Sequence, residues 1–253
     1  MLEATPTAAT EEGTDILAPW GLAQGLGAIL LSYAVAVVGG AILVTFFRKF
    51  YTHHPLGSEI VAYQFLALGV AISTVAFIFM GSQVRPAKLG FTYPGSRNLA
   101  LAALTVIPVI IGVAAIAGLF DALFPWYHLH GNAKQSIPVS HHGATRVKEI
   151  LTVLWAGIEV PLVEETLFRG ILYQSLRRAF ARRLRKHSAI FCAAAVSGLI
   201  FGLLHFEPHT APILVFVGFS LAYVFQYGRS IYCSMIVHGA INTLAVIQLF
   251  GSA

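Results

Sequence analysis

Long runs of apolar residues, separated by short polar connectors, dominate this chain. A helical run of about 20 such residues matches the hydrocarbon thickness of a bilayer, and the lack of strict alternation favours helices over membrane strands. We place predicted spans at residues 20–47, 60–80, 99–124, 149–176, 189–206, 211–227 and 231–250. The sequence therefore predicts an all-α, polytopic membrane helix bundle of about seven transmembrane helices.

Composition supports the same class of protein. Hydrophobic residues make up 57% of the chain and charged residues only 11%, whereas soluble domains carry about 25% charged residues. The net charge of +5 does not indicate a nucleic-acid partner, because the basic residues lie mostly between apolar runs, where they set orientation. We expect an integral membrane protein surrounded by membrane lipid. An acidic N-terminal tail without a signal-peptide start fits a bacterial inner (cell) membrane.

The length of 253 residues predicts one compact bundle rather than several domains. Residues 1–19 form a polar, acidic N-terminal tail that lacks the basic start of a cleaved signal peptide. The single transmembrane bundle then covers residues 20–253. Cys192 and Cys233 lie inside apolar runs, so we interpret them as small buried hydrophobic residues and predict no disulfide framework.

The distribution of Lys and Arg indicates an orientation. Six basic residues lie within positions 177–186, directly after the fourth apolar run. With seven spans, the connectors on the side of the N-terminus carry ten basic residues and the opposite connectors carry five. The positive-inside rule therefore favours a cytoplasmic N-terminus, although Arg48 and Lys49 argue against it.

Three charges within six residues interrupt the fourth apolar run. Each would cost about 2.5–3.5 kcal/mol near the bilayer centre unless it faced the bundle interior. Glu165 and Arg169 are four residues apart, so they share a helix face and we expect them to pair. Glu164 points about 100° away from that face, which leaves it as a spare carboxylate. Pro161, three residues earlier, predicts a bend typical of helices that line a cavity.

Few other strongly polar residues lie deep in apolar runs. The fifth run places Phe201 and His205 one turn apart, and the seventh places His238 and Asn242 one turn apart. A single buried His or Asn is as typical of a group that bridges helices. Together with a free carboxylate on a third helix, however, they supply a general base, an orienting group and oxyanion donors. This combination predicts attack of a carboxylate-activated water on a carbonyl carbon.

These three patterns resemble the signature motifs of the CAAX protease and bacteriocin-processing (CPBP) family, the intramembrane glutamic endopeptidases of the type II CAAX prenyl endopeptidase type. Their order and approximate spacing also agree, and the resemblance covers about residues 150–250. The matching positions are Glu164-Glu165-xxx-Arg169, Phe201-xxx-His205 and His238-xxx-Asn242.

The resemblance implies hydrolysis of a peptide bond within the membrane. It implies that Glu164 and His205 activate the water, and that His238 and Asn242 stabilise the oxyanion. It assigns structural support to Glu165, Arg169 and Phe201. It further implies that no metal or other cofactor is required, and that the substrate is a peptide or a lipid-modified protein.

Two other interpretations stay open. Glu164, His205 and His238 are acceptable zinc ligands that would leave a fourth position free, as in a zinc-dependent protease. A non-catalytic membrane scaffold or a proton-coupled transporter would also hold buried Glu and His. The histidine-rich connector of residues 125–148 matches no metal motif, and we interpret its side chains as solvated imidazoles.

Overall fold

A computed structural model describes residues 19–46, 67–70, 72, 85–126 and 146–251. Within these ranges all regular secondary structure is helical, which confirms the predicted all-α class. Residues 67–70 and 72, in the predicted second span, are helical as well. The long helices are α1 (Leu22–Phe46), α2 (Ser96–Leu123), α3 (residues 146–181), α4 (Lys186–Leu203), α5 (Ala211–Gly228) and α6 (Ile231–Gly251).

Five helices in the described part of the chain are long and apolar enough to cross a membrane. They are Leu22–Ile42, Ser96–Leu123, Lys186–Leu203, Ala211–Gly228 and Ile231–Gln248. Each coincides with a predicted span, and α3 coincides with the charged fourth one. The predicted polytopic membrane bundle is therefore confirmed. Nearly all of the N-terminal tail, most of the span at 60–80, Arg48, Lys49 and most of the histidine-rich connector lie outside the described residues.

α3 alternates between α-helical and π-helical segments. In order these are Arg146–Leu154 (α), Trp155–Glu159 (π), Val160–Glu165 (α), Thr166–Tyr173 (π) and Gln174–Ala181 (α). Pro161, for which the sequence predicts a bend, lies at the start of the second α-helical segment, directly after a π-helical one. π-Helical turns are rare and often occur at functional sites. Glu164 and Glu165 are the last two residues of the α-helical segment that separates the two π-helical segments.

Gly198 and Gly202 of α4 allow close packing against α5. A Cβ atom on Gly198 would lie 2.6 Å from the backbone nitrogen of Phe219, and one on Gly202 would lie 2.9 Å from that of Val215. No side chain would fit at either position without displacing backbone. α4 and α5 therefore pack backbone to backbone, as small residues allow in membrane helices.

α3 forms the centre of the bundle and α2 lies at its edge. α3 contacts α1, α4, α5 and α6, and residues 163–177 are buried without interruption. α2 contacts α5 and α6 and buries only Ala102, Val109 and Ala117. The helix that carries most of the charged candidate residues is thus the one that other helices surround.

One end of the bundle is basic. The connector before α2 docks there, because the Lys88 carbonyl accepts a hydrogen bond from Gln174 of α3 at 2.9 Å and Thr92 donates to the α5–α6 turn at 2.9 Å. None of the Asp and Glu residues in the described ranges lies at this end. We call it the basic end, and its ten cationic residues are Arg85, Lys88, Arg97, Arg177, Arg178, Arg182, Arg183, Arg185, Lys186 and Arg229.

Candidate active site

The predicted ion pair between Glu165 and Arg169 is present on α3. Arg169 Nη1 donates to Glu165 Oε1 at 2.8 Å, and neither side chain is exposed. Arg169 Nη2 donates to the Gly218 carbonyl of α5 at 3.0 Å, and the guanidinium carbon lies 4.8 Å from the centroid of the Phe201 ring of α4. A Cβ atom on Gly218 would lie 3.0 Å from the Phe201 side chain, so glycine permits this approach. One cation therefore joins three helices.

His238 of α6 approaches both glutamates. Its Nδ1 atom lies 2.8 Å from Glu165 Oε1, and its Nε2 atom lies 3.7 Å from Glu164 Oε2. A carboxylate oxygen accepts hydrogen bonds, so His238 Nδ1 carries the hydrogen. In the neutral ring, Nε2 is then an unprotonated acceptor that faces the Glu164 carboxylate. A second proton on His238 would convert this facing pair into an ion pair.

The two neighbouring carboxylates differ in their partners. Glu165 is fully buried and bonded to both Arg169 and His238, whereas the Glu164 side chain is 11% exposed. Glu164 Oε2 has no hydrogen-bond partner among the described residues. Oε2 of Glu165 has no hydrogen-bond partner there either, so the two carboxylates differ in that Arg169 and His238 both contact Glu165 Oε1.

His205 lies two residues beyond α4 and is held by a contact with that helix. Its Nδ1 atom lies 2.7 Å from the Phe201 carbonyl, so Nδ1 carries the hydrogen and Nε2 is the free acceptor of the neutral ring. The ring lies 4.6 Å from Phe201, centroid to centroid, and Phe201 meets His238 edge to face at 5.8 Å. Phe201 thus separates and orients the two imidazoles. Across the residues with described side chains, no hydrogen bond or ion pair joins His205 to Glu164, so His238 is the closer imidazole.

The Asn242 carboxamide, one turn beyond His238, is oriented by α3. Its Nδ2 atom donates to the Ala156 carbonyl at 3.0 Å, within the first π-helical segment. The helices can approach this closely because a Cβ atom on Gly239 would collide with the Gly157 carbonyl oxygen. Asn242 keeps a second N–H on Nδ2, which is the kind of donor that an oxyanion requires.

The geometry does not support the zinc interpretation. Glu164 and His238 approach each other, but His205 bonds to neither of them. Within the described ranges, no group of three or more His, Cys, Asp or Glu side chains is gathered as a metal ion would need. His238 Nδ1 is also engaged by Glu165. The donor set therefore does not fit a three-ligand zinc site.

Sequence reasoning missed two features of the site. The contact between Glu165 and His238 joins residues 73 positions apart, and spacing along one helix gives no signal for it. Tyr33 of α1 packs against the buried cluster that surrounds the glutamates and lies within electrostatic reach of Glu164. Tyr33 lies outside the three motifs, so only the fold reveals its position.

The described helices are those of a polytopic membrane protein with a buried acid–imidazole cluster. Residues 146–244 match the family described as type II CAAX prenyl endopeptidase Rce1-like. This range contains all of the candidate site residues. The family resemblance inferred from the motifs is therefore confirmed over α3 to α6.

One curated relative is the Bacillus subtilis (strain 168) protein named "Putative membrane peptidase YdiL", which is 26% identical over 141 residues. The alignment covers 53% of this chain and 54% of the relative, so the chain spans about half the length of the curated relative it matches. No solved structure matches the chain. The family match and the apolar helices identify an integral membrane protein, and the bacterial relative fits the predicted inner membrane.

Proposed function

We propose that this protein is an intramembrane endopeptidase that hydrolyses a peptide bond with a water activated by Glu164 and His205. The observation that carries the proposal is the approach of His238 to both glutamates, with Asn242 one turn further along the same helix. The buried Oε2 atom of Glu164 then faces Nε2 of His238. The match to an endopeptidase family and to a relative named as a membrane peptidase supports a peptide bond as the target.

Glu164 acts as the general base in this proposal. Its carboxylate takes one proton from the water while the water oxygen attacks the carbonyl carbon of the substrate. His205 offers Nε2 as an acceptor for the second hydrogen of the water, which orients the attacking lone pair. Glu165 is less suited to be the base, because Arg169 and His238 already occupy its Oε1 atom.

His238 and Asn242 stabilise the tetrahedral oxyanion. Because the Nδ1–H of His238 is committed to Glu165, Nε2 can donate a hydrogen bond only when the ring is protonated. In that form the imidazolium also faces the Glu164 carboxylate, with 3.7 Å between His238 Nε2 and Glu164 Oε2. Glu165 thereby orients the proposed oxyanion donor in addition to pairing with Arg169.

Collapse of the intermediate completes the reaction. The carbon–nitrogen bond breaks, its electron pair stays on nitrogen, and the proton held by Glu164 passes to the leaving amine. The carboxylic acid product releases its proton, and Glu164 is again ionised. No metal takes part in the proposed steps, and the substrate is a peptide or lipid-modified protein that reaches the site from the membrane.

The test compares the wild-type protein with Glu164→Gln, which keeps the shape of the side chain and removes the base. Peptides released from membranes with either protein identify the substrate, and turnover is then measured with purified protein in metal-free buffer. We expect Glu164→Gln to lower turnover by about 10³-fold or more. Glu159→Gln is the matched control, because Glu159 belongs to the same helix and has no assigned role in the chemistry.

Each outcome separates the alternatives. Turnover by Glu164→Gln within about tenfold of wild type would exclude the glutamate mechanism. Loss of activity with a chelator, restored by zinc, would favour the zinc enzyme. A purified wild-type protein that cleaves none of the identified peptides would favour the scaffold or transporter. His205→Ala should be as inactive as Glu164→Gln, and the double variant little worse, because groups that act as a unit are not additive.

A further inference from the structure

The connector that precedes α2 is bound to two helices of the site at once. We call its residues 86–92 the strap. The Lys88 carbonyl accepts a hydrogen bond from Gln174 Nε2 of α3 at 2.9 Å. The Gly90 carbonyl accepts one from the backbone nitrogen of Ile231, the first residue of α6, at 2.9 Å. The strap therefore joins the end of the second π-helical segment to the start of the helix that carries His238.

Close packing shows that the strap is built into the bundle. Leu89 is fully buried, and a Cβ atom on Gly170 of α3 would lie 2.9 Å from the Leu89 carbonyl oxygen. Gly90 adopts a φ of +99°, where an L side chain is strained, and a Cβ atom there would lie 2.6 Å from the Phe225 ring. Thr92 Oγ1 donates to the α5–α6 turn at 2.9 Å. Little movement of the strap is possible without disturbing both helices.

Gln174 is also the residue that directly follows the second π-helical segment. Its backbone N–H donates to the Ile171 carbonyl. The Gly170 carbonyl would accept that N–H in an α-helix, but it instead accepts Gln174 Nε2 at 2.8 Å. The side chain thus binds the π-helical segment and the strap at once. Loss of its donors would remove both bonds and loosen the strap from the end of the π-helical segment.

The geometry points to Gln174 as a positioning residue for the proposed peptidase site, acting through the strap and the π-helical segment. Arg169 lies inside this segment and Glu165 directly precedes it. A change of helical geometry would rotate both residues relative to His238, whose helix begins at the strap. A displacement of about 1 Å can cost about 10²-fold in rate. The inference rests on the proposed function of the site.

The test uses Gln174→Met, which keeps the side-chain length and removes both donors. At a temperature where the protein is folded, we expect kcat to fall about tenfold or more while KM stays within about twofold. Ser175→Ala is the matched control, because it removes a buried 2.7 Å hydrogen bond to the Ile171 carbonyl without touching the strap. A merely structural role predicts that both variants lose thermal stability and that neither changes kcat.

A second variant tests the strap from its other side. Thr92→Val removes the donor to the α5–α6 turn, and we expect kcat to fall in the same direction by about threefold. The inference is overturned if Gln174→Met keeps the kcat of Ser175→Ala, or changes only KM. If Gln174→Met does not fold, an unchanged kcat in Thr92→Val overturns it. Glu164→Gln is measured in parallel, and activity in that variant would instead contradict the proposed function.

Discussion

α2 and α3 are opposites in composition and in burial. α2 is the most apolar of the candidate spans, yet it buries only three residues along its length. α3 carries adjacent glutamates and an arginine, yet residues 163–177 are buried without interruption. In a water-soluble protein the apolar helix would be the buried one. Lipid tails are as apolar as leucine, so α2 gains little from burial, whereas the charges of α3 have to be surrounded by protein.

The comparison separates two kinds of helix by what a substitution should do. Side chains of residues 163–177 on α3 are buried among other helices, so a change there removes partners or creates collisions. Most side chains on α2 are exposed, so a change there alters few contacts.

The largest effect is expected for Arg169→Ala. This change leaves the Glu165 carboxylate buried without its cation and removes the bond to the Gly218 carbonyl, which costs about 3–5 kcal/mol. We expect folded yield, thermal stability in detergent and activity all to fall. Arg97→Ala on α2 is the control, because Arg97 is exposed and such changes stay within about 0.5 kcal/mol. An Arg169→Ala protein as stable as Arg97→Ala would remove the contrast between the two helices.

A smaller effect is expected for Asn242→Ala, which tests the contact of α6 with α3. Asn242 is only partly buried and makes one hydrogen bond to Ala156, so the fold should survive. We expect turnover to fall by about 10²–10³-fold, the usual loss for one oxyanion donor, while binding of an uncleaved substrate analogue barely changes. Normal turnover with weakened binding would assign Asn242 to substrate positioning.

The smallest effects are expected for a pair of glycine substitutions. One should lower the free energy of unfolding and the other should raise it. Gly170→Ala on α3 forces a Cβ atom to within 2.9 Å of the Leu89 carbonyl oxygen, and such overpacking costs about 1–3 kcal/mol. Gly118→Ala on α2 meets nothing within 4 Å and should stabilise the helix by up to about 1 kcal/mol. Thermal unfolding of both variants measures the difference. Equal shifts would show that α2 is as closely packed as α3.

The sequence predicted the helices and the ion pair because both depend on local spacing. Apolar runs of membrane length are visible in one dimension, and the four-residue interval between Glu165 and Arg169 gives a shared face on any regular helix. The same logic grouped Phe201 with His205 and His238 with Asn242. Within one regular helix, the spacing of two residues in the sequence determines whether their side chains share a face.

Contacts between helices could not be predicted in this way. The bond from His238 to Glu165 depends on how α6 crosses α3, which in turn depends on Gly157 and Gly239 at the crossing. The π-helical segments add to the difficulty, because a change of helical period alters which side chains share a face. The path of the strap requires the positive φ of Gly90, and the pattern of apolar residues does not predict a backbone dihedral angle.

Within the described part of the chain, the basic end gives the bundle an electrical polarity along its long axis. Moving one elementary charge through a potential of 100 mV requires about 2.3 kcal/mol, and ten cationic residues lie at this end. If it faces the cytoplasm, as the connector charges favour, the resting potential opposes inversion of the protein at every one of these charges. His238 lies seven residues into α6 from this end, a rise of about 10 Å. In that orientation the buried acid–imidazole centre lies nearer to the cytoplasmic face, and the membrane potential favours keeping it there.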